Sequence, residues 1–231
     1  MQTNKATDML KALAPTIGVG VLTANLMKLG DELSALDGTG VGVLHFDVMD
    51  GCFCPSMTFG PSFVRGVKTS LLKDVHLMIA DPLNKVADYV AAGADILTVH
   101  VESEPTHIHR IFQALGKMTN ANDPDRGIVR GVAINPGTPL EVLEPLLDDI
   151  EMVTLLAINP GWGGQKFIPS TRGSPGQGSR CDREQGHPAM CRWRHYPRQY
   201  RRNRVDGSRS GHNGQCRVRW QGSNPECDIY A

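Results

Sequence analysis

Short apolar runs rich in Val, Ile and Leu recur through the first 171 residues, at 17–22, 41–48, 74–79, 96–101, 128–134 and 152–158. Runs that are apolar on both sides suit parallel strands buried on both faces. Amphipathic stretches alternate with them, at 26–36, 62–72, 83–92, 106–118 and 140–147. The punctuation agrees. Asp81-Pro82 and Thr138-Pro139 are helix starts, and Ala92-Gly93-Ala94-Asp95 is a helix stop before a strand. Six β/α units at this spacing predict a parallel α/β fold with right-handed crossovers. No GxGxxG follows the first strand and no P-loop occurs, so a (β/α)8 TIM barrel leads over a nucleotide-binding doubly wound sheet.

Net charge changes this picture of one uniform domain. The whole chain of 231 residues sums to +0. Residues 1–171 carry 12 Lys+Arg against 19 Asp+Glu, whereas residues 172–231 carry 12 Arg, no Lys and 5 acids. Every Leu and every Phe lies in the first part, and four of the six Cys in the second. Two unlike segments meet near Thr171. No apolar run approaches the ~18 residues of a membrane span, and the N-terminus does not read as a signal peptide. The expected location is cytoplasmic.

In such barrels the chemistry sits at the C-terminal ends of strands. The second run ends in His45-Phe46-Asp47-Val48-Met49-Asp50-Gly51 and the third in Asp74-Val75-His76-Leu77-Met78. His45 and Asp47 are two apart and share a face. If that face is the lumen, His45, Asp47 and His76 converge as a divalent-metal set. A lone His or Asp at a strand end is more often structural; three on adjacent strands favour a site. Asp50-Gly51 reads as a turn, His100 before Glu102 is ambiguous, and His107 and His109 read as solvated. Cys52 and Cys54 read as loop thiols. Gly161-Trp162-Gly163-Gly164 after the sixth run is either a tight turn or a backbone cradle for a phosphate.

Together these blocks resemble the ribulose-phosphate 3-epimerase family. The resemblance rests on Leu22-Thr23-Ala24-Asn25, on 45–51 with Phe53, Pro55, Thr58 and Gly60, and on 74–79. It continues through Ala92-Gly93-Ala94-Asp95, Asn135-Pro136-Gly137-Thr138 and residues 159–168. It covers roughly residues 16–171. It implies inversion at C3 of a ketopentose phosphate, D-ribulose 5-phosphate to D-xylulose 5-phosphate, by two acid/base groups through an enediolate. It further implies a divalent cation (Zn, Fe, Mn or Co) on His45, Asp47, His76 and a second Asp, with Asp47 also catalytic. Thr23, His76, Met49 and Met78 would meet substrate, and Gly161, Trp162, Gly163 and Gly164 its phosphate. A homo-oligomer is left open, and neither nucleic acid nor membrane is expected as a partner.

The family's second catalytic Asp, in an Asp-Gly-Gly block on strand seven, is absent in frame. Residues 190–203 can be back-translated so that reading one base later gives Cys-Val-Asp-Gly-Gly-Ile-Thr-Arg-Asp-Asn-Ile-Ala-Glu. Residues 213–221, treated the same way, give Thr-Gly-Ser-Ala-Val-Phe-Asp-Gly-Lys, the strand-eight phosphate block. The expectation is a barrel portion at 1–171, six β/α units of eight, and an Arg/Gly-rich disordered tail at 172–231 read out of frame. Strands one and six would then be open edges, and activity would be lost or impaired. Two other readings compete. One is a catalytically dead barrel that binds through its tail, where Arg192, Arg194, Arg198 and Arg201 interleave with Trp193, Tyr196 and Tyr200. The other is a barrel acting on another ketose phosphate, or a decarboxylase-like relative.

Overall fold

The computed structural model describes residues 5–13, 16–166, 168, 189–193 and 227–230. Six parallel strands form in chain order: β1 (Gly18–Gly20), β2 (Val43–Met49), β3 (Leu72–Met78), β4 (Ile96–His100), β5 (Val129–Ile134) and β6 (Met152–Leu156). They curl into a half-barrel with helical connections between them. Each expected apolar run therefore overlaps a strand, and the incomplete α/β barrel is the observed architecture.

The connections are shorter and more irregular than the pattern predicts, for local reasons. Residues 26–36 split into a 3-10 turn, Leu26–Lys28, capped by the Asn25 side chain, and a short helix α2 (Leu29–Ser34). Helix α3 (Pro61–Gly66) stops at its glycine, and Leu72 already belongs to β3. Helices α4 (Val86–Ala91) and α5 (Ile108–Leu115) fall inside their expected ranges. The last connection, Leu140–Leu146, is a 3-10 helix containing Pro145, which lacks the N–H that an α-helical bond needs. A preceding helix, Lys5–Leu13 (α1), was not expected; it buries Ala6 and Leu10.

Strand alternation sorts the side chains. Leu44, Phe46 and Val48, then Val75 and Leu77, then Leu97 and Val99, pack with Val64, Tyr89, Ile111 and Phe112 from the helices in one continuous core. The intervening residues His45, Asp47 and Met49, and Asp74, His76 and Met78, occupy the opposite face. The polar groups of the site are thus set by the same two-residue period that fills the core.

The end of the sheet departs from expectation. Strand β6 is not an open edge: β7 (Ala189–Trp193) pairs with it antiparallel, and β8 (Cys227–Tyr230) pairs antiparallel with β7. A barrel closes through parallel neighbours and a last-to-first pairing. Here the strand order runs β1 to β8, with no closing pair among the described residues. The rest of the expected tail lies outside the described residues, including Arg194, Tyr196, Arg198, Tyr200 and Arg201. Among the described residues no helix is long and apolar enough to cross a membrane.

Candidate active site

Register builds the site. In the β2–β3 ladder His45 stands opposite Asp74, Asp47 opposite His76, and Met49 opposite Met78. Because the two strands are parallel, all three pairs project from one face at successive levels. Asp47 Oδ1 lies 3.2 Å from His45 Nε2 and 3.1 Å from His76 Nδ1. His45 Nδ1 lies 2.8 Å from Asp74 Oδ2. His45, Asp74 and His76 are buried, whereas the Asp47 side chain keeps 29% of its surface open. The carboxylate is therefore the accessible member of the group.

Two carboxylates decide the protonation of His45. Burial alone would lower its pKa, but Asp47 and Asp74 outweigh this and hold it well above the usual histidine value. Burial would raise the Asp47 pKa, but His45 and His76 hold it well below the carboxylate range. In this state the His45 Nε2 proton sits against Asp47. Removal of that proton leaves an imidazole nitrogen, a carboxylate oxygen and the His76 nitrogen, with the ligand atoms of the three residues within 4.8 Å of one another. Two neutral imidazoles and one anionic oxygen are a fitting donor set for a divalent cation. His45, Asp47 and His76 could hold one.

Sequence reasoning left His100 open and gave Asp74 and Glu102 no role. His100 is fully buried, with Nε2 2.9 Å from His76 Nε2 and Nδ1 3.0 Å from Glu102 Oε2. The Asn135 backbone N–H donates to Glu102 Oε1 at 2.7 Å, and the Thr138 hydroxyl donates to the same oxygen. Burial holds His100 down at about 4, with Glu102 pulling the other way. Burial would raise the Glu102 pKa, but His100, Asn135 and Thr138 bring it to about 2. The available signal was spacing: Asp74 is two residues before His76, and Glu102 is two after His100.

The loop after β2 roofs the site. Asp50 accepts from the backbone N–H groups of Cys52, Phe53 and Ala80 at 2.8–2.9 Å, so the expected turn also clasps the loop after β3. Phe53 packs on His100 with ring centroids 4.8 Å apart, and Met49, Met78 and Cys54 form a small buried cluster with Phe53 against it. Cys54 is buried and Cys52 exposed; both are free thiols. His107 and His109 are about half exposed, as expected, and pair with Glu104 and Asp149.

The remaining expected residues lie on two loops. Thr23 ends a 3-10 turn after β1, is exposed, and donates to the Gly20 carbonyl at 3.1 Å. The loop after β6 brings Gly161 against the loop after β2. A Cβ on Gly161 would lie 2.5 Å from Cys54 Cβ, its φ is +109°, and the Ser56 hydroxyl donates to its carbonyl. Trp162, Gly163 and Gly164 are exposed beyond it. The Gln165 side chain ties the loop by donating to the carbonyls of Asn159 and Trp162 at 2.7 and 2.9 Å.

The sequence profile of the Ribulose-phosphate 3 epimerase family matches residues 16–174. The chain is 41% identical over 157 residues to a chloroplastic ribulose-5-phosphate-3-epimerase of Arabidopsis thaliana, covering 67% of this chain and 53% of that protein. It is 42% identical over 156 residues to the ribulose-phosphate 3-epimerase of Bacillus subtilis, covering 67% and 68%. It is 45% identical over 160 residues to that of Rhodobacter capsulatus, covering 67% and 65%. The similarity thus spans about half to two thirds of each relative's length.

Proposed function

The chain belongs to the ribulose-phosphate 3-epimerase family, and on that premise we propose that its site is built to epimerise a ketopentose phosphate at C3, D-ribulose 5-phosphate to D-xylulose 5-phosphate. The observation that carries this reading is the Asp47–His76 pair across β2 and β3, with His45 beside it. Epimerisation beside a carbonyl needs a group that takes a proton from carbon and a setting that tolerates the negative charge left behind. Asp47 is the proton acceptor: it is anionic, reachable, and held by two imidazoles through Oδ1, which leaves Oδ2 toward the substrate. Met49 and Met78 supply an apolar, polarisable wall. Thr23 offers a hydroxyl, and the 161–164 loop offers backbone N–H groups to a phosphate.

His45, Asp47 and His76 would hold the divalent cation (Zn, Fe, Mn or Co). When bound, such a cation supplies positive charge beside the oxygens on which negative charge develops. The chain's own residues set its place, since Asp74 orients His45 and keeps its Nε2 toward Asp47.

The second acid/base group has no in-frame counterpart, so the chain as written is proposed to have lost turnover while keeping this half of the site. The test uses two DNAs: the coding sequence as it stands, and the same sequence with one base deleted at the codons for Thr171 and Arg172. Conversion of D-ribulose 5-phosphate is expected only from the second. Full turnover by the unaltered chain would overturn the frame-shift reading, and no turnover by the corrected one would overturn the epimerase reading. Steep salt dependence of nucleic-acid affinity would favour a binding protein instead.

A further inference from the structure

Strand β1 is short, and its ladder with β2 ends at Gly20 opposite His45. Strand β3 holds the other edge of β2 as far as Met49. Past His45 the first edge is taken by the loop after β2, which folds back on the strand. The Gly51 N–H donates to the Ser56 carbonyl at 3.0 Å and the Thr58 N–H to the Met49 carbonyl at 3.1 Å, with Asp50 and Met57 bridged antiparallel between them. Asp47 and Met49 are two apart, so the Asp47 carbonyl and the Met49 N–H project to the same side. The Thr58 hydroxyl meets both: it accepts from the Met49 N–H at 3.0 Å and donates to the Asp47 carbonyl at 2.5 Å. It occupies the place that the backbone of a longer β1 would fill.

One atom makes both bonds. A hydroxyl donates and accepts at once, and the branched Cβ of Thr restricts the directions in which it can point. Asp47 is the residue whose placement this controls. Its Oδ1 lies 3.2 Å from His45 Nε2 and 3.1 Å from His76 Nδ1, contacts that last only while the Asp47 Cα–Cβ bond is aimed at those rings. Rotation of the peptide plane between Asp47 and Val48 would turn that bond, and the Thr58 clasp on its carbonyl opposes the rotation. The Asp47 side chain is also more open than that of His45 or His76, so packing restrains it less. We propose that Thr58 is a positioning residue: its hydroxyl, standing in for a strand at the end of β2, holds the Asp47 carboxylate level with His45 and His76.

The inference rests on the proposed function for the use made of Asp47; the clasp stands on the contacts alone. Thr58→Val keeps the branched shape and removes both bonds. Thr58→Ser keeps both bonds and removes the methyl group. Thr69→Val is the control. The Thr69 hydroxyl accepts from the Leu71 N–H at 3.1 Å, ahead of β3 and at the far end of the strands from Asp47, so its loss weakens the fold without reaching the site.

The experiment uses the metal-free full chain. NMR reads amide exchange at Met49 and the Asp47 χ1 angle from three-bond couplings to Cγ, and calorimetry reads Zn2+ affinity. In the unaltered chain the Met49 amide is expected to be protected and Asp47 to hold one rotamer. In Thr58→Val, Met49 exchange quickens by about tenfold or more and the Asp47 couplings average. Zn2+ affinity falls roughly 10- to 100-fold there, while Thr58→Ser and Thr69→Val stay within about threefold. An unprotected Met49 amide or an averaged Asp47 in the unaltered chain would overturn the proposal, and neither result depends on any variant folding. A folded Thr58→Val with Asp47 still fixed, or with Zn2+ bound as tightly as before, would overturn it as well. So would a folded Thr58→Ser that fails as Thr58→Val does, since the hydroxyl would then not be the group that matters. An unaltered chain that takes no Zn2+ but shows the expected Asp47 rotamers across the variants supports the positioning role and refutes the cation site instead.

Discussion

His45 Nδ1 and Asp74 Oδ2 meet at 2.8 Å across directly paired positions of β2 and β3, and both side chains are buried. The other Asp74 oxygen is enclosed with no hydrogen-bond partner among the described residues. His45 is thus the group that compensates this carboxylate. Removing either member strands the other, and breaking a buried pair in this way costs roughly 3–5 kcal/mol. Asp74→Ala and His45→Ala should each destabilise on that scale in urea unfolding. The double variant should cost clearly less than their sum. Additive losses would show that the two do not act as a pair.

Glu102 gives the protein a defined acid response. Its pKa is about 2 in the fold against an ordinary 4.5. The group is ionised at lower pH when folded than when unfolded, so its contribution is fully present above about pH 4.5 and is lost as pH falls toward 2. The shift corresponds to something on the order of 3 kcal/mol. The stability gap between the unaltered chain and Glu102→Gln should therefore be widest above pH 5 and close between pH 4.5 and 2. Denaturant unfolding at several pH values measures it, and a gap constant with pH would contradict the assignment.

The half of the site on β2 and β3 was legible in the sequence because it depends only on period. His45, Asp47 and Met49 are spaced by two, as are Asp74, His76 and Met78, and one parallel pairing brings the two sets level. The His100 contact was not legible, since it crosses diagonally from β3 to β4: His76 stands opposite Thr98 in the ladder, and nothing in the spacing says that two imidazoles will touch. The helices were legible as faces but not as lengths. Gly66 and Pro145 end or tighten them where the apolar pattern runs on. The antiparallel run of β7 beside β6 was not legible at all, because a strand's direction is set by its partner and not by its own residues.

Metal binding should appear as stability. A ligand that binds only the folded chain, at a hundred times its dissociation constant, adds about 2.7 kcal/mol, or roughly 5–10 °C in melting temperature for a chain of this size. Zn2+ or Co2+ should raise the melting temperature by that amount, and EDTA should reverse it. His76→Ala and Asp47→Asn should abolish the shift. An unchanged shift in both variants would place the cation elsewhere.

Gly161 joins the loop after β6 to the loop that roofs the site, and two constraints coincide there. Its φ of +109° is strained for any residue with a side chain. A Cβ would also lie 2.5 Å from Cys54 Cβ and 2.9 Å from Pro55 Cδ, so backbone must move on one side or the other. Gly161→Ala should destabilise by about 2 kcal/mol or more. The displaced loop should also uncover Cys54, whose burial raises its thiol pKa and shields it, whereas Cys52 is already exposed. Alkylation mapped by peptide mass separates the two thiols: Cys52 reacts at an unchanged rate, and Cys54 reacts faster in Gly161→Ala. A variant of unchanged stability with Cys54 still protected would mean that the two loops are not held together at Gly161.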